Sequence, residues 1–290
     1  MTRARDNEPD QQGNRPPLLV GIRVVTLATN LPGPAAAAQL CRLGANVTKV
    51  EPPGGDPMAV HCPIWYKALA SGQTVISLDL KNPDDFRKLG KILEASDLLL
   101  TSSRPAALER LSLGWKRIHA KYPRLCQAAL VGHAAPNENV PGHDLTYQAA
   151  WGLVDPPNLP RTLMADLASA ERLMSTGLAL LLARKRTGIG EYAQVAIADV
   201  ARQFAEPLRH GLTIPGGPLG GRTPGYHLYR ASDGWIAIAA LEPHFWEKVK
   251  SELQLEAGDY EELASRFLAR TGADWEKWAA EHDLPIVAVR

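Results

Sequence analysis

The sequence predicts an α/β protein: a large doubly wound domain with a mostly parallel sheet, followed by a small α+β domain. Three observations carry this. Short β-branched runs alternate with helical periodicity from Leu18 to Ile197, the pattern that builds a parallel sheet covered by helices. The stretch 210–225 is dense in glycine and proline and reads as a linker or loop. Beyond it the pattern changes to a hairpin signal and three helices. The expected division is a disordered tail over 1–17, a large domain over 18–209, the linker over 210–225 and a small domain over 226–290.

The elements follow in order. Ile22 to Leu27 is a β-branched run that reads as a buried strand. Asn30-Leu31-Pro32-Gly33-Pro34 reads as a turn, Ala35 to Leu43 as a helix closed by Gly44, and Asn46 to Glu51 as a second strand. Such a β-α-β unit favours a parallel pair with a right-handed crossover. A dinucleotide site, with Glu51 on the ribose, is disfavoured because the lone Gly33 is flanked by prolines that offer no N–H to a pyrophosphate. Strands are then expected at Thr74 to Leu80, Asp97 to Thr101, Leu125 to Val131 and Tyr192 to Ile197. Helices are expected at Pro83 to Ala95, Ala106 to Leu111, Trp115 to Lys121, Leu167 to Arg184 and Ala198 to Glu206. In the small domain, Tyr226 to Tyr229 and Trp235 to Ala239 flank Ser232-Asp233-Gly234 as a hairpin. Helices follow at His244 to Leu253, Tyr260 to Arg270 and Ala273 to His282.

The formal net charge of +1 gives no global argument for nucleic acid or an anionic membrane as partner. Three cysteines, Cys41, Cys62 and Cys126, are widely spaced, so neither a metal motif nor a disulfide framework follows, and a reducing cytoplasm fits best. The polar start of the chain lacks the apolar core of a signal peptide. No apolar run reaches the roughly 20 residues that span a bilayer.

The chemistry concentrates between Pro141 and Ala168. Gly142-His143-Asp144-Leu145-Thr146-Tyr147 brings an imidazole and Leu163-Met164-Ala165-Asp166-Leu167-Ala168 a carboxylate, two groups able to move a proton near neutral pH. Pro156, Pro157 and Pro160 between them stiffen the loop. Asp166 is expected to open the long helix, where the dipole and unpaired N–H groups favour its ionised form. The plainer reading of such an aspartate is an N-cap.

Several stretches, in order, carry a resemblance. They include Gly21-Ile22-Arg23-Val24-Val25, Pro32-Gly33-Pro34, Leu43-Gly44-Ala45-Asn46-Val47-Thr48-Lys49-Val50-Glu51-Pro52-Pro53 and Leu78-Asp79-Leu80-Lys81. Arg104-Pro105, Pro141-Gly142-His143-Asp144, Ala165-Asp166, Arg186-Thr187-Gly188-Ile189-Gly190 and Leu241-Glu242-Pro243 follow. With these the chain resembles the family III CoA-transferases and their relatives, the alpha-methylacyl-CoA racemases. The resemblance implies a homodimer of two interlocked chains, with an acyl-CoA thioester bound between the large domain of one and the small domain of the other. In the transferases the aspartate matching Asp166 is a nucleophile. In the racemases it is one of two acid/base groups, the other being a histidine that matches His143.

His143 and Glu242 tip the reading toward a racemase acting on a 2-methylacyl-CoA through an enolate, with Glu242 orienting the imidazole. The alternatives are a CoA-transferase and a non-catalytic binder of CoA esters. Lys81 and Arg104 match family contacts to CoA. Asp144 and Tyr147 are supporting residues whose expected part is hydrogen bonding within their turn and helix. Backbone N–H groups at the start of the Asp166 helix are the expected donors to the enolate oxygen. Neither a metal nor any cofactor beyond the CoA of the substrate is required. The sequence departs from the family at Ala70-Ser71-Gly72-Gln73 and at Ala168-Ser169-Ala170-Glu171, and in a short segment between the two motifs. Relatives usually continue past the position of Arg290 with a segment returning to the large domain, so the interlock is expected to be looser.

Overall fold

A computed structural model describes residues 17–290; the tail expected over 1–17 lies, apart from Pro17, outside them. The chain divides after Phe204 into two compact units. The first runs β1 (Arg23–Thr26), α1 (Pro32–Arg42), β2 (Asn46–Glu51), α2 (Met58–His61), α3 (Pro63–Ala70), β3 (Thr74–Ser77), α4 (Pro83–Glu94), β4 (Leu98–Thr101), α5 (Pro105–Arg110), α6 (Trp115–Lys121), β5 (Cys126–Val131), α7 (Asp144–Ala150), α8 (Met164–Thr187), β6 (Tyr192–Ala196) and α9 (Ile197–Phe204). Its strands form one sheet in the order β3-β2-β1-β4-β5-β6, and every neighbouring pair is parallel. The order reverses between β1 and β4. Loops leaving the C-terminal ends of these two strands diverge to opposite faces and open a crevice, where ligands bind in open α/β sheets.

Alternation along the strands feeds two cores. Val24, Leu98, Leu100 and Leu130 pack with α1 and α8. Val25, Val50 and Leu99 turn the other way, toward Leu89 and Leu93 of α4 and Ile118 of α6. With both faces covered, β4 and β5 are buried along their whole length, which is why they read as continuous apolar runs.

The turn expected at residues 30–34 is shorter than that: Pro32, Gly33 and Pro34 already belong to α1. A first helical turn needs no N–H from its prolines. Gly33 serves packing, since a Cβ there would lie 2.2 Å from the Cβ of Ala28. The helices α2 and α3 were not among the expected elements; Pro57 is the N-cap residue of the first and Pro63 opens the second.

The second unit contains α10 (Glu206–Arg209), β7 (Tyr226–Arg230), β8 (Trp235–Ala239), α11 (Pro243–Glu252), α12 (Tyr260–Phe267), α13 (Gly272–Glu281) and β9 (Ile286–Ala288). The sheet is β7-β8-β9, antiparallel throughout, with Tyr229 opposite Ile236 and Ile238 opposite Ile286. These side chains pack on Val249, Leu263, Phe267 and Trp275 from the helices. The expected hairpin is present, and β9 is an addition: three residues too short to show a period, paired across α11–α13. Among the described residues, no helix is long and apolar enough to cross a membrane.

Candidate active site

The crevice at the β1/β4 reversal is a cleft of about 160 Å³. Thr29 and Asn30 line it from the loop after β1, Pro32 from the start of α1, and Ser102 and Arg104 from the loop after β4. His143, Tyr147 and Asp166 line it too. The two candidate proton carriers, distant in sequence, therefore share one cavity.

His143 is the N-cap residue of α7, in an extended conformation. Its backbone is clamped by Thr146, whose Oγ1 accepts from the His143 N–H at 3.0 Å and donates to the His143 carbonyl at 2.7 Å. A hydroxyl three residues on satisfies an end group of the helix and fixes the direction in which the chain enters it. Tyr147, one turn along α7, is buried with 3% exposure and meets His133 edge-on, with ring centroids 5.3 Å apart. Its hydroxyl occupies space left open at Gly142, where a Cβ would come within 2.5 Å of the oxygen. Burial and then the charge of Asp166 raise the Tyr147 pKa, and Arg104 opposes them; the three groups share one electrostatic field.

Asp166 sits in the first turn of α8, whose N-cap, Leu163, has no capping side chain. The missing acceptor comes from another helix: Asp144 Oδ1 accepts the Asp166 N–H at 3.0 Å. The other oxygen, Asp144 Oδ2, accepts from Gln148 Nε2 at 2.6 Å, and Gln148 also donates to the Thr162 carbonyl at 3.3 Å. Asp144 and Gln148, both buried, thus tie α7 to the head of α8.

This geometry corrects two expectations. The dipole at the head of α8 was expected to favour ionised Asp166. Instead burial, and then the neighbouring Asp144 carboxylate, push its pKa up to about 6. Desolvation and a like charge act against the charged form and outweigh a helix-end effect of roughly 0.3–1 kcal/mol. Of the backbone N–H groups at the start of α8 expected to meet an enolate oxygen, that of Asp166 is already held by Asp144.

The remaining candidates are distributed as follows. Arg104 is the exposed N-cap residue of α5 and faces the cleft. Lys81 lies in a second cleft of about 270 Å³, with Leu78, Leu80, Leu108 and Leu111; Thr29 lines both clefts. Glu242 belongs to the second unit, where it is the exposed N-cap residue of α11 and caps no N–H with its side chain. Among the described residues, no group of three or more His, Cys, Asp or Glu side chains is placed to hold a metal.

Three residues of the site went unread in the sequence. Gln148 had no visible partner there. Glu138, on the cleft wall, stood in a polar loop with no period. Asn30, on the lip, has φ +68°, a left-handed conformation that asparagine tolerates better than most; its place beside Leu31-Pro32-Gly33-Pro34 was the available signal.

A carboxyl with raised proton affinity and an imidazole line one cleft at the switch point of a parallel sheet, the place where open α/β folds bind their ligands. The chain belongs to CoA-transferase family III, whose model matches residues 19–290, and the resemblance read from its motifs is confirmed. It is 29% identical over 288 residues to human alpha-methylacyl-CoA racemase, covering 89% of this chain and 74% of that one. It is 26% identical over 297 residues to the succinyl-CoA:mesaconate CoA-transferase of Haloarcula hispanica, covering 88% of this chain and 74% of that one. A crystal structure of a protein from Mycobacterium tuberculosis superposes with a TM-score of 0.82 at 26% identity, over 96% of this chain and 85% of that one.

Proposed function

We propose that this protein is an acyl-CoA racemase or epimerase that moves the α-proton of a 2-methylacyl-CoA thioester. One of the pair His143 and Asp166 removes the α-proton from one face. The electron pair passes to the thioester carbonyl and gives an enolate. The protonated partner then returns a proton to the opposite face, so that only the configuration changes. Such a pair works best when both groups exchange protons near working pH. The observation that carries the reading is the Asp166 carboxyl, raised to about 6 in the same cleft as an imidazole, the side-chain class that changes charge around neutral pH.

Arg104 is assigned to a phosphate of the CoA moiety, and the neighbouring cleft with Lys81 to its nucleotide end; the shared wall at Thr29 supports one extended ligand. CoA enters as part of the substrate. The His143 imidazole in the same cleft, which a transferase using Asp166 as nucleophile does not require, favours proton transfer over the anhydride route of a CoA-transferase.

The test is incubation with a 2-methylacyl-CoA in deuterated buffer, read by mass spectrometry. Deuterium at the α-carbon, lost in both His143→Ala and Asp166→Ala, is the expected result. Absence of exchange, with CoA passing to an added free acid in a reaction that needs Asp166 and not His143, overturns it in favour of a transferase.

A further inference from the structure

Behind the lip of the cleft lies a buried ionic cluster that the proposed reaction does not use. Lys49 and Asp56 are each 1% exposed. Lys49 Nζ donates to Glu51 Oε1 at 2.5 Å and to Asp56 Oδ2 at 2.6 Å, and lies over the Tyr66 ring at 4.8 Å. Tyr66 donates to Glu51 Oε1 at 2.8 Å, which leaves that carboxylate committed to the cluster. The second oxygen of Asp56 does something different. Asp56 Oδ1 accepts two backbone N–H groups, from Met58 and from Asn30, both at 3.0 Å.

Asn30 is the residue with positive φ at the lip of the cleft. Its neighbour Thr29 is held in the same way, its N–H donating to Ser102 Oγ at 3.2 Å. Both lip amides are therefore taken by side chains from other loops. We propose that Asp56, oriented by Lys49, is a positioning residue: it pins Asn30 in its left-handed conformation and so presets the mouth through which the acyl-CoA enters. A carboxylate is suited to this because one oxygen faces the ammonium while the other receives two N–H groups, and charge-assisted bonds of this kind are stronger than neutral ones. The inward-pointing lysine keeps the acceptor in place without lining the cleft itself. A preset mouth lowers the ordering cost that a long, flexible ligand would otherwise meet on binding.

The ligand part of this inference rests on the acyl-CoA reading, and the test separates the two. Hydrogen exchange at the Asn30 backbone amide is measured by NMR in the wild type, Asp56→Ala and Asp56→Asn, and acetyl-CoA affinity is measured by calorimetry on the same samples. Asp56→Ala is expected to speed Asn30 exchange at least tenfold and to weaken acetyl-CoA about tenfold. Asp56→Asn, which keeps one oxygen for the Asn30 N–H but turns its amide NH2 toward Lys49, is expected to restore the slow Asn30 exchange and the affinity in part. Should Asp56→Ala fail to fold, Asn30→Val, whose β-branched side chain opposes the left-handed conformation but leaves the ionic cluster intact, is expected to weaken acetyl-CoA severalfold. Unchanged Asn30 exchange in Asp56→Ala, or wild-type affinity in Asn30→Val, overturns the proposal. If the wild type itself does not bind acetyl-CoA, the functional reading fails, and the pinning of Asn30 is decided by the exchange rates alone.

Discussion

In the cluster behind β2, Glu51 and Asp56 share the ammonium of Lys49 and a phenol. In the pair at the head of α8, Asp144 and Asp166 are joined only through a backbone N–H, with Gln148 on the far oxygen. Both pairs stand toward the C-terminal end of the same sheet. In the first, the cation lies between the carboxylates and is itself shielded from solvent. In the second no cation stands between the carboxyls, and burial, then the like charge of Asp144, raises Asp166 to about 6. The difference teaches that a buried carboxylate whose charge is compensated is suited to scaffold and one left uncompensated to holding a proton.

Five substitutions break or sharpen this contrast. The largest effect is expected from His143→Ala and Asp166→Ala, each lowering α-proton exchange by about 10²–10⁴-fold, measured as the rate of deuterium uptake. Next, Lys49→Met leaves two buried carboxylates without their cation and is expected to cost about 3–5 kcal/mol. Urea melts check this, and the deficit is expected to shrink in acid as the orphaned carboxylates protonate.

Asp166→Asn works in the other direction. A carboxyl whose folded pKa is raised contributes stability below its unfolded value of 3.8 and loses it as pH rises through about 6. Removing the charge is therefore expected to stabilise the fold by roughly 1–3 kcal/mol at pH 8 and by nothing at pH 3, read from melts at the two pH values. The smallest effect belongs to Asp144→Asn, which keeps an acceptor for the Asp166 N–H but drops the charge. The Asp166 pKa is expected to fall from about 6 toward the ordinary carboxylate range without reaching it, because burial, the larger cause, remains. Carboxyl NMR titration follows it.

Much of the first unit was legible because its signals are local. Asn46–Glu51 was bounded by Gly44-Ala45 before it and Pro52-Pro53 after it, and the structure gives the same strand. Trp115–Lys121 likewise has the expected ends. What stayed hidden depends on partners distant in the chain. β9 acquires its meaning only beside β8. The proton affinity of Asp166 depends on a carboxylate 22 positions upstream, so a reading of the α8 start alone predicted the opposite sign. The imidazole and the carboxyl could be named from their motifs, whereas the lip that frames them rests on Asp56, 26 positions from Asn30.

The cap on α8 has a consequence for how such a protein diversifies. Since Asp144, rather than the adjoining Leu163, secures the head of that helix, the placement of Asp166 is decoupled from the segment 151–162 that joins α7 to α8. That connection is free to gain or lose residues over evolutionary time without displacing the proton carrier. The connection can vary in length while the anchored pair beside it keeps its place.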